Sequence, residues 1–314
     1  SFSSSIIRSI KNLDSKITTA RDRALALEVD IFQQFVARSI FLTEEIREVA
    51  SALATLDVLS ASSVWSIDTG AVRPLVDDST VFSVKGGRHP IVEESLLKLP
   101  DSNFTPNDCQ LDVDTKSGPR LTLITGPNMA GKSTYLRQNA LIFILAQSGF
   151  YVPATSAHIG IADRLFSRVG ASDDLSKGQS TFMVEMLETA AILNLATSRS
   201  FVILDEIGRG TSTFDGLAIA WSVAEHLYGV NNSRTLFATH YHELTKMVES
   251  IDGAQNVSLK AEEWDGDLIF LHDLVSGAAD KSYGIQVAKL AGLPPAALKR
   301  AQNVLSLLES NNQN

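Results

Sequence analysis

Nine residues carry the clearest chemistry in the chain: Gly126-Pro127-Asn128-Met129-Ala130-Gly131-Lys132-Ser133-Thr134. They follow the pattern G-x-x-x-x-G-K-[ST], in which a glycine-rich turn wraps a phosphate group. The flanks suit that use. Leu121-Thr122-Leu123-Ile124 reads as a buried strand running into Gly126, and Lys132 to Gln147 reads as a helix with Leu136, Ala140, Phe143, Ile144 and Gln147 near helical spacing. A strand that ends at such a turn and opens a helix aims several backbone N–H groups at one point, where the helix end adds roughly half a positive charge. Gly126 and Gly131 permit close backbone approach, Lys132 reaches terminal phosphates, and the Ser133 hydroxyl is a Mg²⁺ ligand.

A second group complements the first. Phe201-Val202-Ile203-Leu204 is a continuous apolar run ending in Asp205-Glu206, the form of a buried parallel strand with two carboxylates at its C-terminal edge. Alone it is a weak pattern; about 70 residues after a complete phosphate loop it is strong. Asp205 then suits a Mg²⁺-linked role beside Ser133, and Glu206 can polarise an attacking water. A further strand, Thr235-Leu236-Phe237-Ala238-Thr239, ends at His240, which lies near a γ-phosphate if that strand neighbours the carboxylate strand. Read alone, His240 fits a structural histidine; His89, His158, His226 and His242 are read as structural or solvated. Ser180 caps a helix running to about Ala196 whose buried face is expected to be Phe182, Met186, Leu187, Ala190 and Leu193. Its start is a second anion-binding device, spare for one nucleotide, and suggests service to a partner subunit's nucleotide.

The elements that position these groups follow from the rest of the chain. Its 314 residues, 44 % apolar and 20 % charged, suit one large or two smaller globular domains with a sizeable core. No apolar run is expected to reach the length of a membrane span, and the first residues do not open a signal peptide. The first residue is Ser, which fits a fragment or a processed chain. One cysteine, Cys109, excludes an internal disulfide and reads as structural in a reducing compartment. A net charge of −9 argues against a surface devoted to a nucleic-acid backbone. Residues 14–60 are helical in pattern. Ile17, Ala20, Ala24, Leu27 and Ile31 form one stripe and Leu42, Ile46, Val49, Leu53 and Leu56 another, with a break near Arg38 to Ile40 because Gln34 and Arg38 interrupt the first. Such seams are expected to pack on a neighbouring helix rather than form a dimeric coiled coil. Val81-Phe82-Ser83-Val84 reads as a strand, 101–108 as loop, and 112–120 as a hairpin-like connection into the phosphate-loop strand. At the C-terminus, a short helix closed by Gly292 and another opened by Pro294-Pro295 give a helix–turn–helix. Leu298, Ala301, Val304, Leu305 and Leu308 line one side of its last helix, a stripe better suited to protein contact than to DNA.

Residues 126–134, Asp173-Asp174, 180–186, 205–213 and Thr239-His240 together closely resemble the ATPase domain of the DNA mismatch-repair MutS family, one of the ABC-type ATPases. Asn128-Met129 inside the loop, paired with Ser180-Thr181-Phe182-Met183-Val184-Glu185-Met186, separates the chain from transporter and chromosome-structure ATPases. The resemblance implies an α/β fold, a mostly parallel sheet flanked by helices. Residues 1–74 would end a helical lever domain, 75–274 would be the ATPase domain, and 275–314 a dimerisation tail. It implies ATP or ADP and Mg²⁺ as ligands, with Gly126 to Thr134 on the phosphates and Ser133 and Asp205 on the metal. Glu206 and Lys132 would act in catalysis and His240 would sense the γ-phosphate. Phe104 matches the aromatic that stacks on adenine, although residues 112–119 lengthen its path to the loop, and His272 matches a histidine found near adenine in some members. Ser180 and Thr181 match a pair reaching the opposite subunit's nucleotide.

The implied partners are a second MutS-type subunit, a downstream repair ATPase of the MutL type, and mismatched duplex DNA held mainly by domains absent here. The family reads a mismatch through a Phe-x-Glu motif, and no Phe-x-Glu occurs in this sequence. The expected setting is a bacterial-type cytoplasm in association with the nucleoid, or a mitochondrion or nucleus in a eukaryote. A nuclease-linked paralogue branch and a nucleotide-gated clamp with little turnover are the alternatives.

Overall fold

A computed structural model describes residues 2–100, 102–114, 116, 118–169, 181–264, 267–279 and 283–312. These fall into two compact units divided between Ser63 and Val64.

The first unit is helical: α1 (Phe2–Phe41) and most of α2 (Thr43–Thr69). The interruption lies at Leu42 rather than at Arg38 to Ile40. Helical hydrogen bonds run through it, from Leu42 N to Arg38 O (3.1 Å) and from Ile46 N to Leu42 O (2.9 Å), so the change of stripe needs no chain break. Ile17, Leu27, Ile31, Ile46, Val49, Leu53 and Leu56 are all exposed. By length and composition α2 could cross a bilayer, with a mean hydropathy of 1.2 over its most apolar stretch. No apolar run in α2 is that long, since Ser and Asp57 interrupt every one; the average comes from alanines, valines and leucines spread around the helix.

The second unit is α/β, with two mixed sheets. The smaller has the order β1-β5-β2-β3, built from β1 (Leu75–Asp77), β2 (Val81–Gly87), β3 (Asn107–Asp112) and β5 (Ser156–Gly160). Helix α3 (Pro90–Leu96), capped by the His89 ring, joins β2 to β3. The larger sheet has the order β10-β9-β4-β8-β7-β6: β4 (Leu121–Thr125), β6 (Leu165–Arg168), β7 (Phe201–Asp205), β8 (Arg234–Ala238), β9 (Ala254–Trp264) and β10 (Asp267–Ser276). Its pairs are parallel except for the β9–β10 hairpin. Residues 112–120 turn back on themselves, with Asp112 N donating to Pro119 O (2.9 Å), but the strands they join do not pair: β3 lies beside β2 in one sheet and β4 beside β8 and β9 in the other.

Period-two alternation along fully buried strands divides the core. Phe201, Ile203, Leu236 and Ala238 face one side, where they meet helix α4 (Lys132–Gln147) and the smaller sheet. Val202, Leu204 and Phe237 face the other, against α6 (Thr213–His226) and α7 (Glu243–Glu249). Between the sheets Phe82, Phe143 and Phe201 cluster, with ring centroids 4.7–6.2 Å apart and tilted, the spacing at which aromatic pairs add about 0.5–1.5 kcal/mol beyond their burial. Arg234 of β8 is fully buried and spans the gap. It donates to the Val81 and Gly160 carbonyls of the smaller sheet (3.4 Å each) and to Arg199 O (2.7 Å). Burial pushes its guanidinium down to about 10.

Helix α5 (Thr181–Leu195) buries Glu185, Thr189 and Ile192, whereas Leu187 and Ala190 are exposed. Phe182, Met186 and Leu193 of the expected face are half-buried, and Met186 and Leu193 pack on the core; Leu187 and Ala190 do not, since Glu185 and Thr189 take inward positions and use their side chains in hydrogen bonds. The C-terminal pair is α8 (Gly284–Leu290) and α9 (Pro295–Asn312), with Gly292 at φ 84° in the turn. Leu298, Val304 and Leu305 are half-buried on α9, while Ala301 and Leu308 are exposed.

Candidate functional site

The C-terminal ends of β4, β8 and β7 lie side by side, with Ala238 in register with both Ile124 and Asp205. Ladder bonding continues past the strand ends: Thr239 N donates to Ile124 O (3.0 Å) and Glu206 N to Ala238 O (2.9 Å). This brings the glycine-rich loop, the two carboxylates and Thr239-His240 to one sheet edge. The condition set for His240 is met, since β8 is the direct neighbour of β7. The His240 side chain is exposed there, its ring centroid 4.0 Å from that of Tyr241.

The loop turns through Gly126 (φ 123°), a short 3₁₀ turn over Asn128–Ala130, and Gly131 (φ 102°). A side chain at Gly126 would be strained by the positive φ and tightly placed, as a Cβ would sit 3.2 Å from Leu259 O. Pro127 opens the 3₁₀ turn, Met129 is exposed and Ala130 is buried. Lys132 is 2 % exposed. Its Nζ donates to Gly126 O and lies 3.6 Å from Glu206 Oε1. Burial pushes the ammonium down from its ordinary range, and the charges of Glu206 and Asp205 oppose that.

The Ser133 hydroxyl donates to Asp205 Oδ2 at 2.6 Å. Burial raises the Asp205 carboxyl, the Ser133 hydrogen bond works against the rise, and the Glu206 charge adds to it. Glu206, 8 % exposed, sits at φ 54°, a left-handed conformation that costs a non-glycine residue about 1–3 kcal/mol. Its Oε2 is 2.6 Å from Arg209 Nη1. Ser133 and Asp205 are hard oxygen donors and fit a divalent cation. Among the described residues no cluster of three or more His, Cys, Asp or Glu could hold a metal alone, so an ion there would take further ligands from phosphate oxygens and water.

Beyond the loop lies a cavity of about 220 Å³, lined by Phe104, Met129, Gly131, Thr134, Gln138 and His272 among others. The lengthened 112–119 segment therefore does not carry Phe104 away from the loop. His272 sits at φ 56° in an irregular stretch of β10 and its Nδ1 meets Ala130 O at 2.8 Å. Asn107 holds that stretch, donating to His272 O (2.8 Å) and accepting from Leu274 N (2.7 Å).

The profile of MutS domain V matches residues 122–309. The chain belongs to the MutS family. It is 57 % identical over 304 residues to the DNA mismatch repair protein MutS of Caulobacter sp. (strain K31), covering 97 % of this chain and 34 % of that protein. The protein of the same name from Caulobacter vibrioides (strain ATCC 19089 / CIP 103742 / CB 15) is 55 % identical over the same shares. That of Rhizobium meliloti (strain 1021) is 56 % identical over 301 residues, 96 % of this chain and 33 % of that protein. The chain thus spans about a third of the length of these curated MutS relatives.

Within this MutS-family chain, Gly126 to Thr134, Asp205 and Glu206 share the sheet edge, and Phe104 and His272 share the cavity. Thr181 is exposed at the start of α5, while Ser180, Asp173-Asp174 and the Asn128 side chain lie outside the described residues. Sequence reasoning missed Asn107, Gln138, Glu185, Arg209 and Tyr241. Only the alternation of Val257, Leu259 and Ala261 with Ser258, Lys260 and Glu262 signalled β9, and hence the hairpin that carries His272.

Proposed function

We propose that this chain is the ATP-binding and ATP-hydrolysing module of a DNA mismatch-repair protein, and that it works as a dimer. The observation that carries the proposal is the 2.6 Å Ser133–Asp205 pair set beside buried Lys132 and Glu206. Four groups at one strand edge suit a metal-linked triphosphate, a cation for its charge and a carboxylate for water. Bound Mg²⁺, held by Ser133 and Asp205, would neutralise charge on the β- and γ-phosphates.

Lys132 leaves the Gly126 carbonyl and donates to terminal phosphate oxygens, while the loop N–H groups from Asn128 to Thr134 cradle the rest. Glu206 accepts a hydrogen bond from the attacking water and takes its proton at the carboxylate, and His240 senses the terminal phosphate. The base lies in the cavity, stacked on Phe104 with His272 at its rim. Ser180 and Thr181 face the nucleotide of a second MutS-type subunit, and helices α8 and α9 dock beneath the partner's ATPase domain. Nucleotide state is then coupled to mismatched duplex DNA and to a MutL-type ATPase in the intact protein. Residues 1–74 serve as the end of a lever, 75–274 as an ABC-type ATPase domain and 275–314 as the tail. The bacterial relatives support a bacterial-type cytoplasmic setting, and association with the nucleoid is part of the same proposal.

The test is the carboxylate. Glu206→Gln should bind ATP and lose turnover by on the order of 10²-fold or more, because a group acting on the transition state goes while the cradle stays. Turnover at the parental rate in this variant would sink the proposal.

A further inference from the structure

The backbone of Gly208, two residues past Glu206, is gripped from both sides. Its N–H donates to Glu185 Oε1 of α5 at 2.5 Å, and its carbonyl accepts from the Tyr241 hydroxyl at 3.0 Å. Glu185 is 6 % exposed, and its other oxygen lies 3.6 Å from Arg168 Nη2. Tyr241 follows His240 and is tied to its own strand end through Thr239 Oγ1, which accepts from Tyr241 N at 3.0 Å. Gly208 has φ 93° and packs directly on Gly216 at the start of α6, so no side chain fits at either glycine. Three elements therefore converge on one residue's backbone: the helix that begins at Thr181, the loop that carries Glu206, and the loop that carries His240.

We propose that Glu185 and Tyr241 are positioning residues that clamp the Gly208 backbone and so hold Glu206 in its left-handed conformation facing Lys132. The clamp rests on the ATPase role proposed above. It also gives that role a mechanical consequence. Glu185 lies one turn beyond Thr181, so a shift of α5 on meeting the partner's nucleotide pulls directly on the Gly208 amide. Occupation of one composite site is thereby felt at the carboxylate of the other.

The test is steady-state ATP hydrolysis by the full chain with Glu185→Ala, Glu185→Gln and Tyr241→Phe, with affinity for a non-hydrolysable ATP analogue and melting temperature measured on each. Glu185→Ala and Tyr241→Phe should lower kcat roughly 10-fold, since small misplacements of a catalytic group cost that much or more, and leave KM and analogue affinity within about two-fold. Glu185→Gln keeps an oxygen acceptor for the Gly208 N–H and should recover most of the rate. Parental kcat in both Glu185→Ala and Tyr241→Phe overturns the clamp, and so does a Glu185→Gln variant as slow as Glu185→Ala. Glu206→Gln runs alongside: inactivity there preserves the ATPase role when the clamp fails, whereas parental turnover removes both.

Discussion

Helices α4 and α5 each begin where an anion could sit, and their first turns differ. Helix α4 opens on a left-handed Gly131; Lys132 is buried and Ser133 already holds Asp205 of β7, two strands from β4. Helix α5 opens on an exposed Thr181, and its first buried side chain, Glu185, comes a full turn later and faces its own chain's Gly208. One helix start is completed by its own fold, while the other leaves Thr181 exposed and is held to its own chain by Phe182, which packs on Gly210, and by Glu185. Under the proposed function, the first is a whole half-site and the second is a half-site offered to another subunit.

The largest effects should separate the two starts. Lys132→Ala should weaken ATP binding itself, whereas Ser180→Ala should leave binding to the isolated chain nearly intact. It should depress turnover roughly 10-fold or more, the worth of one hydrogen bond to a charged group. Mixing the two variants sharpens the contrast. In a mixed dimer both lesions fall on one composite site, and the other is built from two intact halves. With random assortment of a two-fold dimer, activity should return to about a quarter of the parental rate. If mixing restores nothing, each chain's Ser180 acts on its own nucleotide and the outward reading of α5 is wrong.

A smaller effect is expected beside α4, at the cavity. Phe104→Ala should weaken ATP and ADP alike by roughly 1–3 kcal/mol if the ring stacks on the base. Titration of a fluorescent ADP analogue beside a melting curve checks it; a lower melting temperature with unchanged affinity would reduce Phe104 to a packing residue.

The smallest expected effect tests how closed the support behind α4 is. Cys109 is buried under Tyr135 of α4, and burial pushes its thiol up to about 12 from 9.0. The thiol should stay inert to a disulfide reagent at pH 8 until the protein unfolds. The folded-state value is the higher one, so its effect on stability is absent below pH 9.0 and appears as a loss of stability as the pH rises towards about 12. Labelling of native protein at the rate of a free thiol would show that α4 is looser than described.

How far the sequence could be read follows the same division. Helix α4 and strands β4, β7 and β8 were legible almost to the residue, because continuous apolar runs ending at Gly126, Asp205-Glu206 and His240 leave few other folds. The face of α5 was legible at Phe182, Met186 and Leu193 but not at Leu187 and Ala190, because hydrophobic phasing cannot see that Glu185 and Thr189 turn inward to bond. Strands β9 and β10 were missed although their alternation was present, since Asn256, Ser258 and Lys260 hide an apolar face in a polar segment. The hold on His272 could not be foreseen: Asn107 is distant in sequence and acts on the backbone of β10 through its amide, which no spacing records.

Arg234 has a consequence for how the second unit comes apart. Its guanidinium, out of water, gives its two terminal nitrogens to carbonyls of β2 and β5 and to Arg199 O, while its Nε has no hydrogen-bond partner among the described residues. Separating the sheets would strip those acceptors from a buried cation before water could replace them, a barrier that neither sheet meets when both open together. The two sheets should therefore behave as one cooperative unit in native-state hydrogen exchange. Amides of Val81–Gly87 and Arg234–Ala238 would report the same opening free energy, and Arg234→Leu, which removes the cation, should weaken that coupling.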